Sequence, residues 1–254
     1  MIAILSPAKT LDFETKNSFK DFTVPSFIED SKELISQLKK IHVNELSTLM
    51  GLSHSLSELN VKRYQNWSSD FNLSNSRQAI FCFKGGVYKG LDVGTFSDDD
   101  LFYSQKYLRI ISGLHGILKP FDLIRPYRLE MGTKLTNNRG KNLYDFWDEK
   151  ITEYLNNSLA SNNAKYLLNL ASNEYFKSIK SKKICKKIID VKFLDKKNDV
   201  YKIISFFAKK ARGSMAAYVI KNKVKDLDQL KNFSELGYSY DETQSNLQSL
   251  VFTR

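Results

Sequence analysis

The chain has 254 residues, of which 42% are hydrophobic and 26% charged, and its formal net charge is +11. That is enough apolar material for a sizeable core. No apolar run approaches the roughly 20 residues that cross a bilayer, and the N-terminal run Ile2–Leu5 is too short, and lacks the basic leader, for a signal peptide.

Taken in chain order, Ile2–Leu5 reads as a buried strand stopped by Ser6 and Pro7. Apolar residues at Phe27, Ile28, Leu34, Ile35 and Leu38 have helical spacing behind Pro25. Asn44 is placed to cap a short helix through Met50, ended by Gly51, and Ser53 to cap the next, through about Trp67. Ala79–Phe83 is β-like. Ser97 before three aspartates is a strong helix start, because a hydroxyl cap and first-turn carboxylates both suit the positive end of the dipole. That helix is expected to reach Ser112 and end at Gly113. A second periodic helix spans 143–159, a short buried strand spans 166–170, and two strands, 188–194 and 201–207, flank a five-residue polar turn. Ala208–Val224 is helical again. Neither a repeat nor a linker interrupts the chain. The expectation is one integrated α/β domain over 1–254, α+β-like, with a mixed sheet and surrounding helices.

The charge has an address. Lys177 to Lys225 holds sixteen Lys or Arg against three Asp, a net +13, so the remainder of the chain sums to −2. Such a field attracts polyanions. The basic residues alternate with short β-like apolar runs rather than forming an amphipathic anchor, which favours nucleic acid over a membrane surface. A merely solvated lysine-rich face is the plain alternative. Cys82 and Cys185 lie far apart and outside any Cys-x-x-Cys pair, so they read as reduced, buried thiols of a cytoplasmic protein. His42, His54 and His115 share no metal-ligand spacing. No metal and no cofactor are expected.

Five motifs carry chemistry. Ser6, Lys9 and Thr10 follow the first strand, where two hydroxyls and a cation suit a phosphate. Ser112 to Leu118 has the Gly113-x-x-Gly116 spacing of a helix-hairpin-helix turn, in which glycines let amides approach a phosphate. Arg128 falls on one face with Glu130 if extended, free for phosphate or paired to that carboxylate. Ser172 reads as a helix cap with Glu174 in the first turn, where Glu174 either satisfies the dipole or works as a general acid or base. Lys209 and Arg212, with Lys210 between them, share a helix start thinned by Ala208 and Ala211, a natural place for a phosphate.

These stretches, together with Phe83-Lys84-Gly85 and the run from Glu174 to Lys177, resemble the bacterial peroxide stress protein YaaA family over essentially the full length. The resemblance implies a "cactus" α/β fold with a basic cleft and a helix-hairpin-helix element. It also implies a cytoplasmic protein that binds DNA, duplex or branched, mainly through the backbone, and that limits iron-dependent damage during hydrogen peroxide stress. Lys84 and Lys177 join the candidate phosphate contacts on this ground. Gly86 stands where the family usually has Asp, and His115 where Tyr is frequent. The second functional reading is a metal-independent enzyme acting on nucleic acid or on a nucleotide or other phosphate ligand, by base-releasing or phosphoribosyl-type hydrolysis. That reading requires Ser6, Lys9, Arg128 and Glu174 to converge, with Glu174 as acid or base.

Overall fold

The computed structural model describes residues 1–15 and 17–254. It opens with β1 (Ile2–Leu5), buried along its whole length, and β2 (Thr10–Leu11). Helices α1 (Ile28–Leu38), α2 (Val43–Met50) and α3 (His54–Gln65) follow. The cap of α2 is His42 rather than Asn44: the Glu45 carboxylate accepts the His42 N–H at 3.1 Å, and Gly51 ends the helix at φ 60°. Ser53 caps α3 as expected.

After β3 (Arg77–Gln78), residues 79–82 form the single turn α4 (Ala79–Cys82) instead of a strand. Short apolar runs fit either element. Here the Ala79 and Ile80 amides find the carbonyls of Asp122 and Pro120 at 2.9 and 3.0 Å, which settles the choice. Next come β4 (Phe83–Lys84), α5 (Gly86–Leu91) and α6 (Asp98–Tyr107). Ser97 and Asp100 cap α6 reciprocally, at 3.2 and 3.0 Å. The helix stops five residues short of expectation. Leu108 to Ser112 is β5 (Leu108–Ser112), followed by antiparallel β6 (Gly116–Leu118). Ile110 and Ile111 are β-branched, and pairing with β1 satisfies the backbone of this segment. The glycine turn therefore joins two strands, not two helices.

Beyond β7 (Leu123–Ile124), the periodic stretch from Leu143 is two helices, α7 (Leu143–Trp147) and α8 (Lys150–Ser161), broken at Asp148 with φ 37°. Strand β8 (Tyr166–Asn169) and the short α9 (Asn173–Phe176) lead to β9 (Lys187–Lys197) and β10 (Val200–Lys202). Their turn is only Asn198-Asp199, both at positive φ (51° and 59°), the geometry that matches strand twist. The second strand is shorter than expected, because 205–207 already belong to α10 (Ser205–Lys221). Helix α11 (Leu227–Lys231) and strands β11 (Ser239–Tyr240) and β12 (Ser249–Thr253) complete the chain.

Seven strands form one sheet in the order β11-β12-β9-β8-β1-β5-β6, and β10 pairs onto β9. The block β12-β9-β8-β1-β5 is parallel throughout, with Ala3 beside Leu108 on one side and Leu168 on the other. The outermost partners β6 and β11, and β10 on β9, run antiparallel. This is a mixed α/β sheet, mostly parallel. Because β1, β5 and β8 are parallel, Ser6, Gly113 and Leu170 leave the sheet at the same edge.

Helix α10 lies against α5 at backbone distance. A Cβ on Gly213 would sit 1.7 Å from the Val87 carbonyl oxygen, and one on Gly90 would sit 1.9 Å from that of Lys210. Neither obstacle is a flexible side chain, so the helices can meet only with glycine at both places. Gly213→Ala should therefore lower stability by about 1–3 kcal/mol or prevent folding. Gly94→Ala, with nothing within 4 Å of its Cβ position, should melt close to the parent. Thermal or urea denaturation of the two variants checks this.

Candidate functional site

At the end of β1 the backbone turns out of the sheet at Ser6, which is buried. Its Oγ accepts the Ser172 N–H at 2.8 Å and donates to the Ser172 Oγ at 3.2 Å, while its carbonyl accepts the Tyr88 hydroxyl at 3.0 Å. Ser172 occupies the N-cap position of α9, but its hydroxyl is spent on Ser6 rather than on the helix. Thr10 is exposed and pairs with Lys84 in the β2–β4 ladder. Lys84 is committed to Asp12 at 2.8 Å. Burial pushes the Asp12 carboxyl up, but the Lys84 ammonium and the hydrogen bonds from Thr15 and Glu14 outweigh it and hold the group well below the usual carboxylate range.

The segment 128–132 crosses in front of this edge. Arg128 places both Nε and Nη2 at 3.0 Å from Glu130 Oε1, and Lys9 reaches the same oxygen at 3.5 Å. Lys9 is 68% exposed, whereas Arg128 and Glu130 are 17% and 15% exposed. The other oxygen, Glu130 Oε2, is buried and has no hydrogen-bond partner among the described residues. The Tyr64 hydroxyl donates to the Arg128 carbonyl. Two residues beyond Glu130, the Gly132 N–H donates to Glu174 Oε1 at 2.9 Å, and a Cβ on Gly132 would lie 3.1 Å from that oxygen. Glu174 is exposed. The Tyr144 hydroxyl bonds its carbonyl at 2.9 Å, and Lys177 lies 5.1 Å above the Tyr144 ring.

From the far side, α10 closes the site. Arg212 Nη1 donates to the Ala171 carbonyl at 2.7 Å. Burial pulls its guanidinium down from the ordinary arginine range, opposed by Asp190. Asp190 in turn accepts from Asn169 at 2.7 Å, and Asn169 accepts the Ala171 N–H at 3.1 Å. Lys209 packs its Cβ against Gly86, where an added Cβ would lie 3.1 Å away, and both Lys209 and Lys210 are exposed.

Ser6, Lys9, Arg128, Ser172, Glu174 and Arg212 thus belong to one connected group at the carboxyl edge of the sheet, with Thr10, Lys84, Lys177 and Lys209 around it. Gly113 and Gly116 do not belong to it. Both are buried. A Cβ on Gly113 would be 2.3 Å from the Leu129 carbonyl, and one on Gly116 would be 2.7 Å from the Trp147 ring, whose Nε1 bonds the Gly113 carbonyl. These glycines let the 129–130 backbone and an indole press on the turn. His115 is also buried, its Nδ1 3.0 Å from the Ser31 hydroxyl, and burial pulls its imidazole down to about 3. Glu130 carries more of the site than expected, since its sequence signal was only a partner's spacing from Arg128. Tyr88 gave no signal beforehand, and Gly132 only closed the motif that holds Arg128.

A family model described as peroxide stress protein YaaA matches residues 1–244. The chain belongs to that family.

Peroxide stress raises the question of redox chemistry. Among the described residues, no group of three or more His, Cys, Asp or Glu is placed to hold a metal ion, and no helix is long and apolar enough to cross a membrane. The two cysteines differ. Cys82 is fully buried, and burial pushes its thiol far above the usual range despite the nearby Arg77. Cys185 is exposed, contrary to the expectation that both are buried. Brief treatment of the native YaaA-family chain with an alkylating agent should modify one thiol. The Cys185→Ser variant should take up none until it is unfolded, as intact-mass measurement would show.

Proposed function

We propose that this chain serves in the peroxide stress response as a cytoplasmic DNA-binding protein, gripping duplex or branched DNA chiefly by its phosphates and so limiting iron-dependent oxidative damage. The supporting observation is the state of the cations between Lys177 and Lys225. All sixteen except Lys187 and Arg212 are exposed. Among the described residues only Lys180, Lys183 and Lys196 are ion-paired, with Asp148, Glu149 and Asp199. Unpaired surface ammonium groups repel one another, and a polyanion removes that repulsion while releasing counterions. Affinity should fall steeply with salt, with a log–log slope near −0.9 per neutralised phosphate. Lys209→Ala with Lys210→Ala should shallow that slope by about 1 for each phosphate no longer neutralised. Arg212→Ala should mainly lower the melting temperature, because its guanidinium already bonds Ala171. A fluorescence-anisotropy titration across salt concentrations, with a parallel melt, checks all three.

A second reading has its own support, the convergence of Ser6, Lys9, Arg128, Glu130, Ser172 and Glu174. Hydroxyls and cations suited to a phosphate stand beside two carboxylates suited to proton transfer, the arrangement of a metal-independent hydrolase acting on nucleic acid or a nucleotide. Glu174 spends one oxygen on the Gly132 amide, whereas Glu130 has a wholly unpartnered one. That unpartnered oxygen is shut off from solvent, so the exposed Glu174 is the candidate acid or base, and Glu130 holds Arg128 and Lys9 in place. Under this reading Glu174→Gln should fold and bind DNA like the parent, yet lower turnover by about 10²–10⁴-fold and abolish peroxide protection. Full protection by a stably folded Glu174→Gln variant in a complementation assay leaves the binding reading alone.

A further inference from the structure

Two surface clefts differ in charge. The one beside α7 and α8, about 450 Å³, carries both signs: four acids line it, and its two cations, Arg139 and Lys150, are both paired with Asp30. A second cleft, about 240 Å³, lies at the last turn of α3. Lys62, Arg63 and Arg125 line it, and among the described residues no carboxylate does. None of these three cations belongs to the basic stretch 177–225.

The bonds these cations make are to neutral groups. Arg63 Nη1 donates to the Asn60 side-chain oxygen at 3.2 Å. Arg125 donates from Nη1 and Nη2 to the Asn66 and Asp70 carbonyls at 3.3 and 2.8 Å. Glu58, one turn before Lys62, faces His54 instead, at 3.4 Å. Burial pulls the Arg63 guanidinium below the ordinary arginine range, and Arg128 adds to the effect. Two donors in the wall, Trp67 Nε1 and Arg125 Nε, are shut off from solvent without a partner among the described residues, so their positive ends are uncompensated as well. Part of this arrangement serves the fold. Lys62 and Arg63 stand where a helix favours cations, and Arg125 bonds the carbonyl of Asn66, the C-cap. A helix C-terminus offers only about half a negative charge, which leaves roughly 2.5 positive charges to offset.

Charge and size decide the ligand. A carboxylate or a phosphodiester brings a single negative charge, whereas a phosphate monoester brings about 1.5 to 2 at pH 7. Guanidinium groups match phosphate oxygens, and an arginine has more donors than the bonds above consume. The rest of the wall is apolar, with Leu59, Pro126 and the body of Trp67. The volume falls below the roughly 300–1,000 Å³ that holds a drug-sized molecule, which suits a single ring better than a nucleotide. We propose that the cleft between the end of α3 and Arg125 binds a small phosphate monoester carrying one apolar ring, with Lys62, Arg63 and Arg125 on the phosphate and Leu59, Trp67 and Pro126 against the ring. The site is separate from the basic stretch and does not depend on the DNA-binding reading.

The test is calorimetric titration of the full chain with phenyl phosphate, benzoate and inorganic phosphate at one salt concentration. Phenyl phosphate should bind about tenfold more tightly than either of the others, since benzoate lacks the second charge and inorganic phosphate the ring. Lys62→Gln with Arg63→Gln should weaken phenyl phosphate by about tenfold or more. Lys62→Glu, at an exposed position, should weaken it with an unchanged melting temperature, which keeps the test decisive if the double variant does not fold. Equal affinity for inorganic phosphate and phenyl phosphate overturns the proposal, as does parent-like binding by a folded Lys62→Glu variant. Displacement of phenyl phosphate by duplex DNA, with DNA affinity lowered by Lys62→Glu, also overturns it and makes the three cations part of a DNA surface.

Discussion

Strand β1 has to be covered on both faces. Ile2, Ala3, Ile4 and Leu5 are entirely shielded from solvent, which an α/β sheet achieves by placing the strand in its interior with helices on either side. Its two neighbours, β5 and β8, are far away in sequence and parallel to it. Parallel pairing has a geometric consequence: every strand of the block releases its chain at one edge. Ser6, the 113–116 turn, Leu170 and the β9–β10 hairpin are brought together by this alone. The carboxyl edge is where an open α/β sheet gathers ligands, and here it gathers the hydroxyls of Ser6 and Ser172 and the Arg212 guanidinium.

A second constraint fixes the angle from which α10 approaches. Gly90 and Gly213 let α5 and α10 touch backbone to backbone, so α10 cannot slide or roll without a clash. Its first half then carries Arg212 to the Ala171 carbonyl and leaves Lys209 and Lys210 outside. Two arginines in the region, Arg128 and Arg212, hold the architecture with their guanidinium groups, while Lys209 and Lys210 stay exposed with no ion-pair partner among the described residues. The division follows from chemistry. The planar fork of Arg suits fixed multidentate bonding at partial burial, whereas the strongly hydrated ammonium of Lys favours water.

Much of the fold could be read in the sequence wherever local chemistry was decisive. Ser97 with its aspartates, Ser53, Gly51 and the buried runs at Ile2 and Tyr166 are where they were expected. The failures share a cause. Residues 108–112 continue a helical pattern by spacing, and only the presence of β1 as a pairing partner makes them a strand. Ala79–Cys82 reverses the case, with a β-like run wound into a turn by carbonyls from 120 and 122. Asp148 breaks a periodic helix by its backbone, which periodicity does not report. The site was legible residue by residue, because polar clusters at strand ends stand out. Their mutual arrangement was not, since the Ser6–Ser172 contact joins residues 166 positions apart.

Glu130 shows what such an arrangement costs. A carboxylate with limited solvent access is expensive, and the expense is offset only when its oxygens are bonded. Oε1 takes Arg128 and Lys9, while Oε2 is shut off from solvent without a bond among the described residues. A glutamine there would remove the charge at nearly the same volume but would forfeit the pairing with Arg128, which is itself mostly buried. Structure alone would favour an apolar pair at both positions, since such replacements of buried ion pairs are often neutral or stabilising. Lys9 bridges the pair to solvent, and local rules are broken most often where a protein meets its ligand.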